Sequence, residues 1–486
     1  MRSRRDSALV PVLLSLGAFI AVVSSLGAPL IPTFARDLDV SLQSAQWALT
    51  VTLLVAAVTS PLIGRLGDGR HRNDVILGCL ATVAVGSVLS ALATTLPVLI
   101  AGRALQGVGI ALAPLTMAAA REHLTPGRAR STIAALSVVG AAGAGLGYPI
   151  SGLIAEHFDF SVGFWAACVV ALACLAATAI VVPRPAEPPQ GRRLDLLGAL
   201  IIAVGLIGIL IAFEKAPDWG WLAGPTVGLI AGGLVLLAVW AWHELRTPDP
   251  LVDLRLIRHR AVLTADVTGL ALGLTMYASL VIVVQFVQTD DVGLGETIFI
   301  SGFTLTPLAI TSSVSTRALP WLERHVGIRN VIPLGAIVTA AACVFFSLTS
   351  TALWQILVMM AFVGLGLGLT FGAMPLLVVT AVPAQETGSA LGFYQVSRFV
   401  GMSMGSGLGI SLIRAFGDHG TPTLHAFRAA ELVCAGIALS AAAAAWLLAG
   451  APAREPTPAE QEHAVEEGMI GTAGLEMLEP DDRARV

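Results

Sequence analysis

Fourteen apolar stretches follow one another between Leu9 and Gly450, separated by short polar connections. Crossing a bilayer takes roughly 20 apolar residues, and stretches of that order are read at 9–31, 45–65, 75–95, 97–120, 131–155, 162–182, 194–213, 224–243, 262–288, 297–319, 329–349, 354–381, 387–413 and 427–449. Lipid offers the backbone no hydrogen bonds, so each is predicted to be an α-helix. The spacing changes twice. A Pro-rich basic linker from Pro183 to Arg193 follows the sixth stretch, and a long connection from His243 to Arg260 precedes the ninth. The expected architecture is an all-α membrane protein with a six-helix bundle over 1–183 and a linker with two extra helices over 184–260. A second six-helix bundle over 261–450 and a tail over 451–486 complete it.

Charge between the stretches sets the predicted orientation, because cytoplasmic connections retain Lys and Arg. With the N-terminus inside, 22 of the 28 basic residues fall on inner segments, while Arg36, Lys215, Arg414 and Arg428 fall outside. The remaining two, Arg103 and Arg398, lie within stretches. A basic start before an apolar run also fits a secretory signal, but the first run is longer than a usual signal core, and both termini are expected to be cytoplasmic. Only 12% of the chain is charged against 56% hydrophobic, with a mean hydropathy of +0.82, so most of it has lipid as its solvent. The five cysteines fall inside stretches and show neither a disulfide framework nor metal spacing. Acids crowd into the tail after Gly450, which reads as disordered and cytoplasmic.

Two six-span halves suit a transporter built from repeats, with a central site opened to either side by rocking one half on the other. Arg103 is the first residue with chemistry to explain, since a cation at mid-membrane depth costs at least ~2.5 kcal/mol. It is expected to face a polar interior, with Gln106 one turn on, or else to be a structural charge held by backbone carbonyls. The loop Gly64 to Arg72 packs Asp68 and three arginines into nine residues. There Asp68 could accept hydrogen bonds at a helix start in one conformation and lose them in another. Gly143, Gly147, Pro149 and Gly152 in the fifth stretch suit a helix that packs closely and bends.

At these residues the chain resembles the fourteen-span drug:proton antiporters of the major facilitator superfamily, over about residues 9–450. Gly64, Leu66, Asp68 and Arg72 match the family's inner-loop signature. Leu99, Arg103, Gln106 and Gly107 match its span-4 signature, and Gly147, Ser151 and Gly152 partly match that of span 5. The resemblance implies a major facilitator fold and proton-coupled efflux of drugs, antibiotics or other small amphipathic molecules by alternating access from the cell membrane. It further implies proton coupling at Arg103 and Gln106, a latch of Gly64, Asp68 and Arg72 near the start of span 13, and gating by the glycines of span 5. Val23 stands where many relatives carry a membrane-embedded Asp, Tyr148 takes the Pro position of span 5, and Thr52 replaces a common Tyr.

With no acid at Val23, Asp266 is the preferred substitute proton carrier, although a helix-end acid reaching for water fits it equally well. The other acids near spans, Glu122, Glu156, Glu214, Glu296 and Glu431, also lie near ends. Candidates for the cargo cavity are Trp47, Met117, Tyr277, Gln285, Tyr394 and Arg398, with Met276, Phe286, Gln288, Phe393 and Gln395 beside them. Two interior cations without a deep acid leave room for a neutral, zwitterionic or anionic cargo. Gly401-Met-Ser403-Met-Gly405 fits the nucleophile pattern of hydrolases, yet it sits inside a helical stretch without a deep His. The string Gly364, Gly366 and Gly368 lacks the strand of a dinucleotide loop, and no Walker A sequence is present. No enzyme, metal or cofactor is expected. The expected partners are a small-molecule substrate, protons and the bilayer, without nucleic acid and with the chain acting as a monomer. The rival readings are a dedicated metabolite exporter or importer of the same fold, and a non-transporting membrane sensor.

Overall fold

The computed structural model describes residues 2–26, 30–40, 42–67, 72–182, 195–248, 250–252, 254–255, 259–382, 387–418 and 421–448. The acidic tail, the Pro-rich linker and Asp68 lie outside the described residues. The first part of the chain forms α1 (Arg2–Ser25), α2 (Ile31–Asp37), α3 (Leu42–Gly67), α4 (Arg72–Ala91), α5 (Leu96–Ile110), α6 (Ala113–His123), α7 (Pro126–His157) and α8 (Phe160–Val181). Next come α9 (Leu196–Trp219) and α10 (Gly224–Glu244). The last part forms α11 (Arg260–Gln288), α12 (Ile298–Phe303), α13 (Thr306–Val326), α14 (Ile328–Thr349), α15 (Leu353–Ala381), α16 (Thr387–Phe416) and α17 (Leu424–Leu448).

Eleven helices among the described residues are long and apolar enough to cross a membrane. The protein is a multi-pass, all-helical membrane protein. Two predicted stretches are divided, and proline accounts for both breaks. The ring of a proline clashes with the carbonyl four residues earlier and leaves no N–H to donate. Pro114 therefore ends α5 at Ile110, and Pro307 ends α12 at Phe303, each four residues upstream.

Among the helix pairings of the first part are α1 with α7, α3 with α5, α4 with α5, α4 with α8, and α1 with α8. Their counterparts recur in the last part as α11 with α16, α13 with α15, α14 with α15, α14 with α17, and α11 with α17. Two contacts between the parts are related in the same way, α3 against α16 and α7 against α13.

Close packing explains the two enzyme-like patterns. Gly401 and Gly405 lie where α16 crosses α11, and a Cβ at either would collide with the carbonyl of Leu270 or Leu274. Gly364 and Gly368 similarly admit α13 against α15, and Gly366 admits α14. Both motifs are helix-crossing surfaces. Large apolar side chains such as Ile180 and Leu222 remain exposed, as lipid contact requires.

Helix α9 touches both parts. Glu214 accepts from Thr50 Oγ1 of α3 at 3.0 Å and from Ser406 Oγ of α16 at 3.3 Å. We expect Glu214→Ala to lower the melting temperature by a few degrees in detergent, equivalent to about 1–3 kcal/mol. An unchanged transition in a thermal-shift assay would show that the bridge contributes nothing.

Candidate functional site

Arg103 is completely buried. Its Nε donates to Ala48 O of α3 at 3.0 Å, and its Nη1 donates to Val23 O of α1 at 3.2 Å and to Gln106 Oε1 at 2.7 Å. Gln106 passes the chain on, its Nε2 donating to Ser87 Oγ of α4 at 2.9 Å. The guanidinium lies 5.9 Å from the Phe164 ring of α8. One side chain on α5 thus joins α1, α3, α4 and α8 at the middle of the first part. Two of the sequence departures find their places here. Val23 contributes its backbone carbonyl to Arg103, and the small Thr52 donates to Arg103 O at 3.2 Å. The arrangement matches the carbonyl-held charge weighed in the sequence, and the narrow gap lined by Val23 and Gln106 has no room for a water.

The arginine-rich end of the molecule is closed in this conformation. At the end of α3, a Cβ on Gly64 would lie 2.7 Å from Gly388 O at the start of α16. Arg121 donates to Val382 O at 3.3 Å and to Thr387 Oγ1, while Arg130 forms an ion pair with Glu323. Arg72 donates through Nε to Gly67 O at 2.6 Å and pairs with Glu122. Of the predicted latch, Gly64 lies at the contact between α3 and α16, and Arg72 is tied to the end of α3 and to Glu122 of α6. The gating candidates Gly143, Gly147, Pro149 and Gly152 lie on α7, which runs unbroken from Pro126 to His157. That helix packs against α1 on one side and against α13 and α15 on the other.

Beyond this closure lies a cavity of about 50 Å³ lined by both parts of the chain. Ile20, Leu53, Thr116 and Met117 come from the first part, while Met276, Tyr277, Gln395 and Arg398 come from the last. Of the predicted cavity residues, Met117, Met276, Tyr277, Gln395 and Arg398 meet here. Tyr394 is buried behind the wall, packed on Gly269 and donating to Met374 Sδ at 3.4 Å. Trp47 lies elsewhere, beneath Lys215 at 5.4 Å, and Gln285 is exposed. Helical spacing explains the division, since residues 395, 398, 399 and 402 share the face of α16 that looks into the cavity.

The acids divide as well. Asp266, on α11, is 7% exposed and faces Ser397 of α16, without a hydrogen bond to either carboxylate oxygen. Glu431 of α17 is fully buried and accepts from Ser279 Oγ of α11 at 2.8 Å. In the sequence Glu431 reads as a helix-end acid because it stands four positions after the start of its predicted stretch at 427. What buries it is the approach of α11 and α14, which no local pattern encodes.

The sequence matches the model of the Major Facilitator Superfamily over residues 13–406. The chain belongs to the major facilitator superfamily. This major facilitator protein is 28% identical over 78% of its length to an uncharacterised transporter of the superfamily from Mycobacterium tuberculosis (strain ATCC 25618 / H37Rv). That match spans only 55% of the relative's own length. It is 26% identical to the tetracenomycin C resistance and export protein of Streptomyces glaucescens, over 82% of this chain and 74% of that one. Among solved structures, the human organic anion transporter TETRAN shares the fold with a TM-score of 0.62 at 15% identity, covering 90% of this chain and 99% of that one. The recurring helix pairings are the fold's internal repeat in physical form.

Proposed function

We propose that this major facilitator protein is a fourteen-span, proton-coupled exporter of small amphipathic molecules, including drugs and antibiotics, in the cell membrane. Both termini are cytoplasmic, and the chain works as a monomer in the bilayer. Residues 1–183 and 261–450 act as two six-helix bundles, with α9 and α10 between them. The observation carrying this reading is the cavity lined by both bundles and closed at the arginine-rich end. Rocking the bundles would part Gly64 from Gly388 and break the Arg121 and Arg130 contacts, so that cargo could enter from the cytoplasm. The export role of the Streptomyces glaucescens relative supports the direction.

Arg103 and Gln106 hold the first bundle in shape while Asp266, at the contact of α11 with α16, carries the proton. Protonation removes the cost of burying its charge, so binding and release of a proton would alternate with movement of α16. A gradient of one pH unit supplies about 1.4 kcal/mol, and one charge across 100 mV about 2.3 kcal/mol.

Inverted membrane vesicles provide the test. Uptake of a fluorescent amphipathic dye is expected to rise with the inward-acid gradient in the parent and to collapse when a protonophore is added. In Asp266→Asn we expect gradient-driven accumulation to disappear while downhill exchange of dye continues. Uptake in the parent that ignores the gradient rejects proton coupling.

A further inference from the structure

The two buried arginines have different surroundings. Arg103 is tied to two backbone carbonyls and to Gln106, with its Nη2 left unpartnered, and the described gap beside that network is too small for water. Arg398, 5% exposed, lines the central cavity. The rings of Phe371 and Phe399 lie 5.2 and 5.6 Å from its guanidinium carbon, and the Tyr394 hydroxyl sits beside it. Its Nε has no partner, and among the described residues it forms no ion pair. Gln395, on the same face of α16, has its Oε1 unpartnered. Among the described residues no Asp or Glu lines the cavity, whose remaining wall is largely apolar.

A buried guanidinium without a counter-charge is costly, and the cost falls when an anion joins it in the same low-dielectric chamber. We propose that Arg398 anchors the cargo and that the cargo is an amphipathic organic anion, a carboxylate or phenolate on a flat apolar body. The anion meets Arg398, Gln395 and Tyr277 supply polar contacts, and the body lies among Leu53, Met117 and Met276. A cationic cargo would instead place two like charges in one chamber. The present volume of about 50 Å³ is well below the roughly 300 Å³ of a small ligand cleft, so the body enters as the bundles part. This assignment deepens the transport reading and rests on it for treating the bound molecule as cargo.

Equilibrium binding of two xanthene dyes of similar size tests it, using the full chain in nanodiscs and fluorescence anisotropy. Anionic carboxyfluorescein is expected to bind at least about tenfold more tightly than cationic rhodamine 6G. Arg398→Gln should weaken carboxyfluorescein about tenfold or more, and Arg398→Lys should recover part of the loss by restoring the charge. Rhodamine 6G affinity should hold or rise in Arg398→Gln. Equal or tighter binding of rhodamine 6G to the parent overturns the assignment whatever the variants do, as does failure of the parent to bind carboxyfluorescein or an unchanged anion affinity in Arg398→Gln. Binding requires no gradient, which separates the two ideas. Arg398-dependent anion binding without gradient-driven flux keeps Arg398 as the anchor of an organic anion and removes the exporter reading, and with it the name of cargo. Gradient-driven flux of rhodamine 6G that is indifferent to Arg398 keeps the exporter and removes this assignment.

Discussion

Arg103→Ala is expected to reduce dye uptake in inverted vesicles to background and to lower the melting temperature by well over five degrees. The substitution removes three hydrogen bonds and leaves Ala48 O, Val23 O and Gln106 Oε1 without their donor. Hydrogen bonds to a charged group contribute about 1.5–3 kcal/mol each, and a stranded buried acceptor costs about 1–3 kcal/mol. Set against this is the saving from no longer burying a guanidinium, at least ~2.5 kcal/mol at mid-membrane depth. The losses win because all three acceptors belong to different parts of one junction, and the space left by a large side chain adds a cavity term. Arg103→Lys keeps the charge but can reproduce only part of the forked geometry, so it should fall between the parent and the alanine variant. Activity and melting point equal to those of the parent in Arg103→Ala would show that neither the junction nor the coupling depends on this charge.

The second large effect is expected at Gly64. In Gly64→Val the added Cβ meets Gly388 O at 2.7 Å, with Gly388 C at 3.2 Å and Gly392 Cα at 3.5 Å, all backbone atoms of α16. Backbone atoms cannot rotate away as a side chain can, so the closed arrangement of the arginine-rich end becomes unfavourable by several kcal/mol. The open arrangement, in which α3 and α16 are apart, carries no such cost. The variant should therefore fold, bind dye and transport at less than a tenth of the parent rate. Spin labels on Arg128→Cys and Arg324→Cys, at the ends of α7 and α13, should give a longer mean distance in Gly64→Val than in the parent. The five native cysteines are buried and would label poorly. An unshifted distance distribution with normal transport would refute the role given to this contact.

Much of the helical layout was legible because lipid imposes it: apolar length and a closed backbone are local properties. The helix starts near 224, 328, 353 and 387 fall within a residue of those read from the sequence. The breaks before Pro114 and Pro307 escaped notice because the surrounding apolar run continues through them. The candidate site was legible where a residue is improbable in its own setting, as Arg103 and Arg398 are in lipid-spanning stretches. It was less legible where burial depends on a neighbouring helix. Tyr394 and Arg398 stand four residues apart, yet one is packed behind the cavity wall and the other faces the cavity. Glu214 and Glu431 gain their partners from α3, α16 and α11, and nothing in their own segments announces them.

Helix α9 is fastened unequally. Besides Ser406, its end is held to the last part of the chain by Arg414, which donates to Pro217 O at 2.6 Å, and by Trp221, which donates to Ser411 Oγ at 2.9 Å. Against α3 the described side-chain hydrogen bond is that of Thr50 alone. If the halves rock as proposed, the spare pair of helices is expected to ride with the C-terminal half, parting from α3 at Thr50 and at the Lys215–Trp47 contact. A lengthened cycle time on replacing Thr50 by a residue that grips Glu214 more firmly would be the kinetic signature of that asymmetry.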